Sequence, residues 1–350
     1  MKHLLYILIC LNSWLAFSQE EKRLALVIGN ANYEKGALKN PVNDARLIAS
    51  TLDSLDFDVI LKENVETRTE FIRAIREFGT KRPDYDVAFV YYAGHGIQVD
   101  DENFLLPTKE EFSSEEDVLD FAVSVQNVMR YLKSQTNEVN ILILDACRDN
   151  PFESTWNTTR SLKGQGLAKI PPPTGSLIAF STDSGQTAPD GDGVNSIYSI
   201  SLSKNMLLNE TSIDQVFRNV RSEVLEKTNQ AQRPVESTQL TGQGFYLKPR
   251  TSAKLIIDFD NALVNKDYEN ALNLSFELIN NFPNLSDTYM KAGHIRTIKK
   301  EYLKATEYYK KSLDIDSTNY ESIKSNLFHS ENSSDIDLGL INFPLPSMNL

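Results

Sequence analysis

Cys147 and His95 are the two side chains of this sequence best suited to covalent chemistry. Cys147 ends the run Val139-Asn140-Ile141-Leu142-Ile143-Leu144-Asp145-Ala146-Cys147, and His95 lies near the end of Val87-Ala88-Phe89-Val90-Tyr91-Tyr92-Ala93-Gly94-His95-Gly96. Short, continuous and apolar, both runs read as buried strands. The chain has 2 cysteines and 4 histidines. Cys10 and His3 fall in an amino-terminal leader, and His294 and His329 in a carboxyl-terminal region, where they read as surface residues. One thiol and one imidazole then remain, 52 positions apart. An imidazole beside a thiol raises its thiolate fraction and later protonates a leaving amine. Glycines on both sides of His95 let the backbone turn sharply and a substrate carbonyl come close. The N–H groups of Gly96 and Cys147 could then hold the oxyanion of a tetrahedral intermediate. Taken alone, Cys147 reads more readily as a core thiol and His95 as a turn residue; the pairing of two strand ends is what favours catalysis.

The elements that must position these residues follow from patterning. Arg23–Gly29 and Asp58–Leu61 read as strands, as do the two runs above, Ser176–Phe180 and Gly244–Leu247. Helices are expected from Pro41 to about Leu52, with Asn40 as N-cap and Pro41 in the first turn. Another should open at the capping box Thr67-Arg68-Thr69-Glu70 and run to about Phe78. Further helices are expected near Val125–Lys133, Ile197–Leu208 and Ile213–Glu226. Apolar strands alternating with helices predict an α/β fold with a mostly parallel sheet covered on both faces. In such sheets chemistry gathers beyond the carboxyl ends of the strands. Between Asn150 and Gly175 the pattern stops, and the polar, Gly- and Pro-rich sequence predicts an exposed connection.

From about Ser252 the chain turns helical and repeats. Asp267-Tyr268-Glu269-Asn270-Ala271-Leu272 recurs as Glu301-Tyr302-Leu303-Lys304-Ala305-Thr306, an offset of 34. That is the tetratricopeptide period, and Pro283 stands where the second helix of such a repeat ends. The apolar positions suit packing between helices, and a groove for a peptide partner is the sharper alternative. The organisation expected is a leader at 1–18, an α/β domain at 22–248, a small all-α helical-repeat domain at 252–326 and a tail at 327–350.

Composition narrows the function class. With 41% hydrophobic and 24% charged residues over 350 positions, the chain reads as globular. A net charge of −12 argues against nucleic-acid binding. Lys2-His3, the apolar Leu4 to Leu15 and Ala16-Phe17-Ser18 form an export signal with a small-x-small cleavage site. Its apolar stretch is too short to span a membrane, and Ile9 before Cys10 argues against lipid attachment. The protein is expected to be exported, periplasmic or extracellular, with one thiol and no internal disulfide.

The run Asp145-Ala146-Cys147-Arg148-Asp149, with Tyr92-Ala93-Gly94-His95-Gly96 upstream, resembles the cysteine and histidine motifs of caspase-like peptidases. Leu26-Val27-Ile28-Gly29-Asn30-Ala31-Asn32-Tyr33 looks like the first strand and loop of the metacaspase/paracaspase branch. The resemblance covers roughly residues 22–247. It implies a Cys147/His95 cysteine endopeptidase acting on protein or peptide substrates. Asp145 departs from the glutamine of caspases. Asp44 and Asp190 match positions of acidic pocket residues in paracaspase-like enzymes. Together these carboxylates imply a pocket for a basic P1 side chain, Arg or Lys. Each has a plainer alternative: a strand-end cap for Asp145, a first-turn carboxylate favoured by the helix dipole for Asp44, an ordinary turn for Asp190. Arg160, Lys163 and Lys169 lie where caspase relatives are cut during maturation, which implies self-processing. No metal or cofactor is expected; the spacing of Asp190-Gly191-Asp192-Gly193 is not that of a calcium loop. Two other functions stay open: a non-catalytic adaptor that binds a partner through its repeats, and a hydrolase of small amides or esters.

Overall fold

The computed structural model describes residues 21–132, 139–147, 167–183, 193–241, 244–248 and 250–323. Chain contacts divide these into one unit ending at Pro249 and a second beginning at Arg250.

The first unit is built on a sheet of order β2-β1-β3-β6-β7-β8. Its strands are β1 (Arg23–Gly29), β2 (Phe57–Glu63), β3 (Val87–Val99), β6 (Val139–Cys147), β7 (Ser176–Phe180) and β8 (Val235–Thr238). All neighbours pair parallel except β7 with β8. Between β3 and β6 come β4 (Glu102–Leu105), a helix α3 (Glu115–Phe121), β5 (Val123–Ser124) and α4 (Val125–Leu132). The other helices are α1 (Pro41–Asp53), α2 (Arg68–Lys81), α5 (Ile197–Met206) and α6 (Ile213–Lys227).

Period-two alternation explains the continuous apolar strands, because each strand feeds two cores. Leu24, Leu26, Ile28, Ala88, Val90, Tyr92, Leu142 and Leu144 pack with Phe71, Ile75, Phe78 of α2 and Val128, Leu132 of α4. Ala25, Val27, Phe89, Tyr91, Ile141 and Ile143 face the other way, onto Ile48 and Leu52 of α1, Leu202 of α5 and Phe217 and Val220 of α6. Each of these Leu, Ile, Val and Phe side chains, fully buried, contributes roughly 1.5–3 kcal/mol relative to exposure.

Several local expectations change. His95 is not at a strand end: β3 continues to Val99, leaving its parallel partner β6 after His95 and pairing antiparallel with β4 from Gly96. Gly244–Leu247 is no strand; it makes a single bridge, Ser212 with Tyr246. The last strand is instead β8, whose short, half-exposed Val-Glu-Ser-Thr carries no apolar run to reveal it. Asn40 occupies the N-cap of α1, but its side chain does not cap the helix. Thr67 does cap α2 by accepting from the Glu70 N–H, whereas Glu70 turns to the N–H of Glu66, so the box closes on one side only.

The second unit consists of α7 (Ser252–Val264), α8 (Tyr268–Asn281), α9 (Ser286–Ile298) and α10 (Tyr302–Ile315). Helices α9 and α10 begin and end 34 residues after α7 and α8 respectively. Leu255, Phe259, Ala271, Leu278 and Ile295 form its core, and Gly293 leaves room for the Tyr309 ring, which a Cβ would meet at 2.4 Å. His294 is half-buried rather than a surface residue, and burial holds its imidazole below the ordinary range. The leader, the tail and most of the 150–175 connection lie outside the described residues. Among those described, no helix is long and apolar enough to cross a membrane.

Candidate active site

The sheet places His95 and Cys147 as direct register partners on the adjacent strands β3 and β6. Neighbouring strands lie about 4.8 Å apart, so the pairing seen in the sequence as spacing becomes spatial adjacency. Gly94 pairs with Ala146 and Ala93 with Asp145 in the same register.

The loop from β1 to α1 surrounds His95. The His95 ring nitrogen Nε2 lies 2.6 Å from the Gly36 carbonyl. Since a carbonyl only accepts, Nε2 carries the proton, which leaves Nδ1 to act as base in the neutral ring. The Tyr33 ring packs on the imidazole with centroids 4.4 Å apart. Two asparagines fix this loop. Asn30, fully buried, donates to the Leu106 carbonyl and accepts from the Val65 N–H. Asn64 accepts from the N–H groups of Ala31 and Asn32.

On the α1 side of the sheet, Asp44 and Asp145 share one cluster. Asp44 is 2% exposed and accepts 2.9 Å bonds from the Asn195 amide and the Ser196 N–H. Asp145 accepts from the hydroxyls of Tyr91 (2.9 Å), Ser199 (3.0 Å) and Ser196 (3.5 Å). The N-cap Ser196 of α5 therefore touches both carboxylates, and the amino end of that helix favours negative charge. Burial, and then the charge of Asp145, push the Asp44 carboxyl up to about 7. Burial also raises the Asp145 carboxyl, while its hydroxyl donors oppose the shift. No cation is among the main causes of either shift. Asp190 lies outside the described residues, as do Arg160 and Lys163. Lys169 is exposed, next to Ala168, whose N–H and carbonyl are both held by the Asn103 side chain. Gly96 follows His95 on β3, where a Cβ would meet Ala146 and Leu167 at 3.1 Å. Among the described residues no group of three or more His, Cys, Asp or Glu could hold a metal ion.

Sequence reasoning missed Tyr33, Tyr91, Tyr92, Gly36, Asn195, Ser196 and Ser199. Only one signal pointed to any of them: a tyrosine hydroxyl inside an apolar strand must find a partner.

A family model described as Caspase domain matches residues 22–245. The chain belongs to the caspase-domain family. The chain is 30% identical over 145 residues to the human protein "Mucosa-associated lymphoid tissue lymphoma translocation protein 1" and to its mouse homolog. That match covers 40% of this chain and 17% of each relative, so the chain spans a small part of their length. The fold is similar to that of caspase-1 from Spodoptera frugiperda, with a TM-score of 0.51 and 15% identity over 67% of this chain and 95% of that one. The α/β architecture expected from patterning and the family expected from the two motifs are both borne out.

Proposed function

We propose that this protein is an exported cysteine endopeptidase that cleaves after Arg or Lys. The observation that carries the reading is the register pairing of His95 with Cys147 inside a caspase domain. In this mechanism His95, anchored through Nε2, takes the Cys147 thiol proton, and the thiolate attacks the scissile carbonyl. The sulfur–carbon bond forms, and negative charge builds on the carbonyl oxygen against the N–H groups of Gly96 and Cys147. The imidazolium then protonates the leaving amine as the peptide C–N bond breaks. Water, deprotonated by the same imidazole, hydrolyses the thioester and restores the thiol.

Specificity would come from Asp44 and Asp145. Two buried carboxylates that have hydroxyl and amide donors, and no cation among their described partners, would gain their counter-charge from a P1 guanidinium or ammonium. Asp190 would complete the pocket. If self-processing occurs in the connection, Arg160 and Lys163 are the better sites. Cleavage at Lys169 would need a segment pinned by Asn103 and flanked by buried Leu167 and Ile170. The helical unit, with its 34-residue repeat, would serve as a partner-binding module.

A thiol-reactive peptide ending in an arginyl warhead tests the assignment. It should label Cys147 in the wild type and fail with His95→Ala. No labelling of the folded wild type would favour the adaptor reading instead.

A further inference from the structure

His95 is gripped by two tyrosine hydroxyls in a way that regular strand pairing does not require. Where β3 meets the chain after β4, the Leu106 N–H donates directly to the His95 carbonyl at 3.2 Å. The reciprocal bond of an antiparallel pair would run from the His95 N–H to the Leu106 carbonyl. Instead the Tyr33 hydroxyl stands between them, accepting from the His95 N–H at 2.9 Å and donating to the Leu106 carbonyl at 3.2 Å. The Tyr92 hydroxyl sits beside it, 3.2 Å away, and donates to the His95 carbonyl at 2.7 Å. All of these groups are buried. Gly94 is required here: at φ 155°, a Cβ would come 2.6 Å from the Tyr33 hydroxyl and 2.7 Å from that of Tyr92.

We infer that Tyr33 and Tyr92 are positioning residues for the proposed dyad, Tyr33 for the His95 imidazole and Tyr92 for the Gly96 N–H. This rests on the cysteine-peptidase reading. Tyr33 grips His95 twice, through the backbone N–H and through its ring, which packs against the imidazole at a tilt of 51°, so its hydroxyl helps set where Nδ1 points. Tyr92 acts through peptide geometry. In a planar trans peptide the His95 carbonyl and the Gly96 N–H point in opposite directions. Holding the carbonyl therefore fixes the line along which Gly96 can donate to an oxyanion. Burial keeps the Tyr92 phenol well above its ordinary pKa, so it remains a donor.

The two roles separate experimentally. Alkylation of Cys147 by iodoacetamide uses the thiolate but forms no oxyanion, whereas peptide turnover needs both. Alkylation is read at Cys147 by peptide mass spectrometry at pH 6, beside kcat, KM and melting temperature. Tyr33→Phe should lower both kcat and the alkylation rate about tenfold. Tyr92→Phe should lower kcat about tenfold and leave alkylation within twofold of wild type. KM should stay within twofold in both. Wild-type kcat in either folded variant would overturn the assignment, as would an equal loss of alkylation in both. Failure of the underlying reading looks different: wild type and His95→Ala would alkylate at the same rate, which overturns the dyad and this assignment with it.

Discussion

At the level of single residues, the proposed chemistry rests on four side chains, His95, Cys147, Asp44 and Asp145. Cys147→Ala and His95→Ala should each lower kcat at least a thousandfold in proteins that still fold. Asp44 supplies a pH test. Burial and the charge of Asp145 push the Asp44 carboxyl up to about 7 in the folded protein, so below that pH it is protonated and cannot form an ion pair with a basic P1 group. KM for an arginyl substrate should fall several-fold between pH 6 and pH 8, while KM for a leucyl substrate stays flat. Opposite slopes, or equal ones, would contradict the pocket. The same shift sets a stability trend. A carboxyl raised in the folded state binds its proton more tightly there than in the unfolded chain. Its contribution is lost as pH rises from the ordinary carboxylate range through about 7. Asp44→Asn keeps an oxygen for Asn195 and Ser196 and removes the repulsion. It should therefore raise the melting temperature at pH 8 and not at pH 4, by roughly 2–4 °C per kcal/mol relieved, while weakening arginyl specificity. His95 and Cys147 stood out as candidates because a lone imidazole and a lone thiol are rare at the ends of apolar runs, and Asp145 only through its departure from the caspase glutamine. Ser196 and Ser199 did not, since a helix-opening serine normally needs no role beyond the cap it also forms here.

Among the elements, the sheet and its main helices were readable because buried parallel strands must be apolar throughout, and Pro41, Thr67 and the turn residues mark helix starts. Reading failed where local pattern and tertiary demand part. Strand β3 passes through Gly94-His95-Gly96 because Tyr33, Tyr92 and Leu106 hold it there. A sequence window sees only glycines, and glycines suggest an ending. Strand β8 pairs one edge of β7 with little burial, so no periodicity announces it. The crowding at Gly94 gives a prediction for the element itself. Gly94→Ala should cost roughly 1–3 kcal/mol or more by overpacking. In the Gly94→Ala/Tyr33→Phe protein the combined loss should be smaller than the sum of the two singles, because the second change removes the oxygen the methyl would strike. Additive losses in chemical denaturation would contradict that geometry.

For the whole molecule, each unit carries its own core: two sheet-facing clusters before Pro249 and a helical cluster after Arg250. Separate cores predict separate melting. Calorimetry should resolve two transitions, and a fragment of residues 21–249 should retain the larger one; a single transition that disappears on truncation would contradict this. The repeat was visible in sequence because Tyr268/Tyr302 and Ala271/Ala305 keep a 34-residue offset, and the helix boundaries follow it. Against the strong negative charge of the chain, −12 overall, basic substrates fit both the local pocket and the wider field. The most direct test compares kcat/KM for peptides that differ only at P1, with Cys147→Ala as the control. Arg or Lys should exceed Asp and Leu by at least a hundredfold, and all turnover should vanish with Cys147→Ala. Preferential cleavage after Asp, or undiminished turnover without the thiol, would contradict the account.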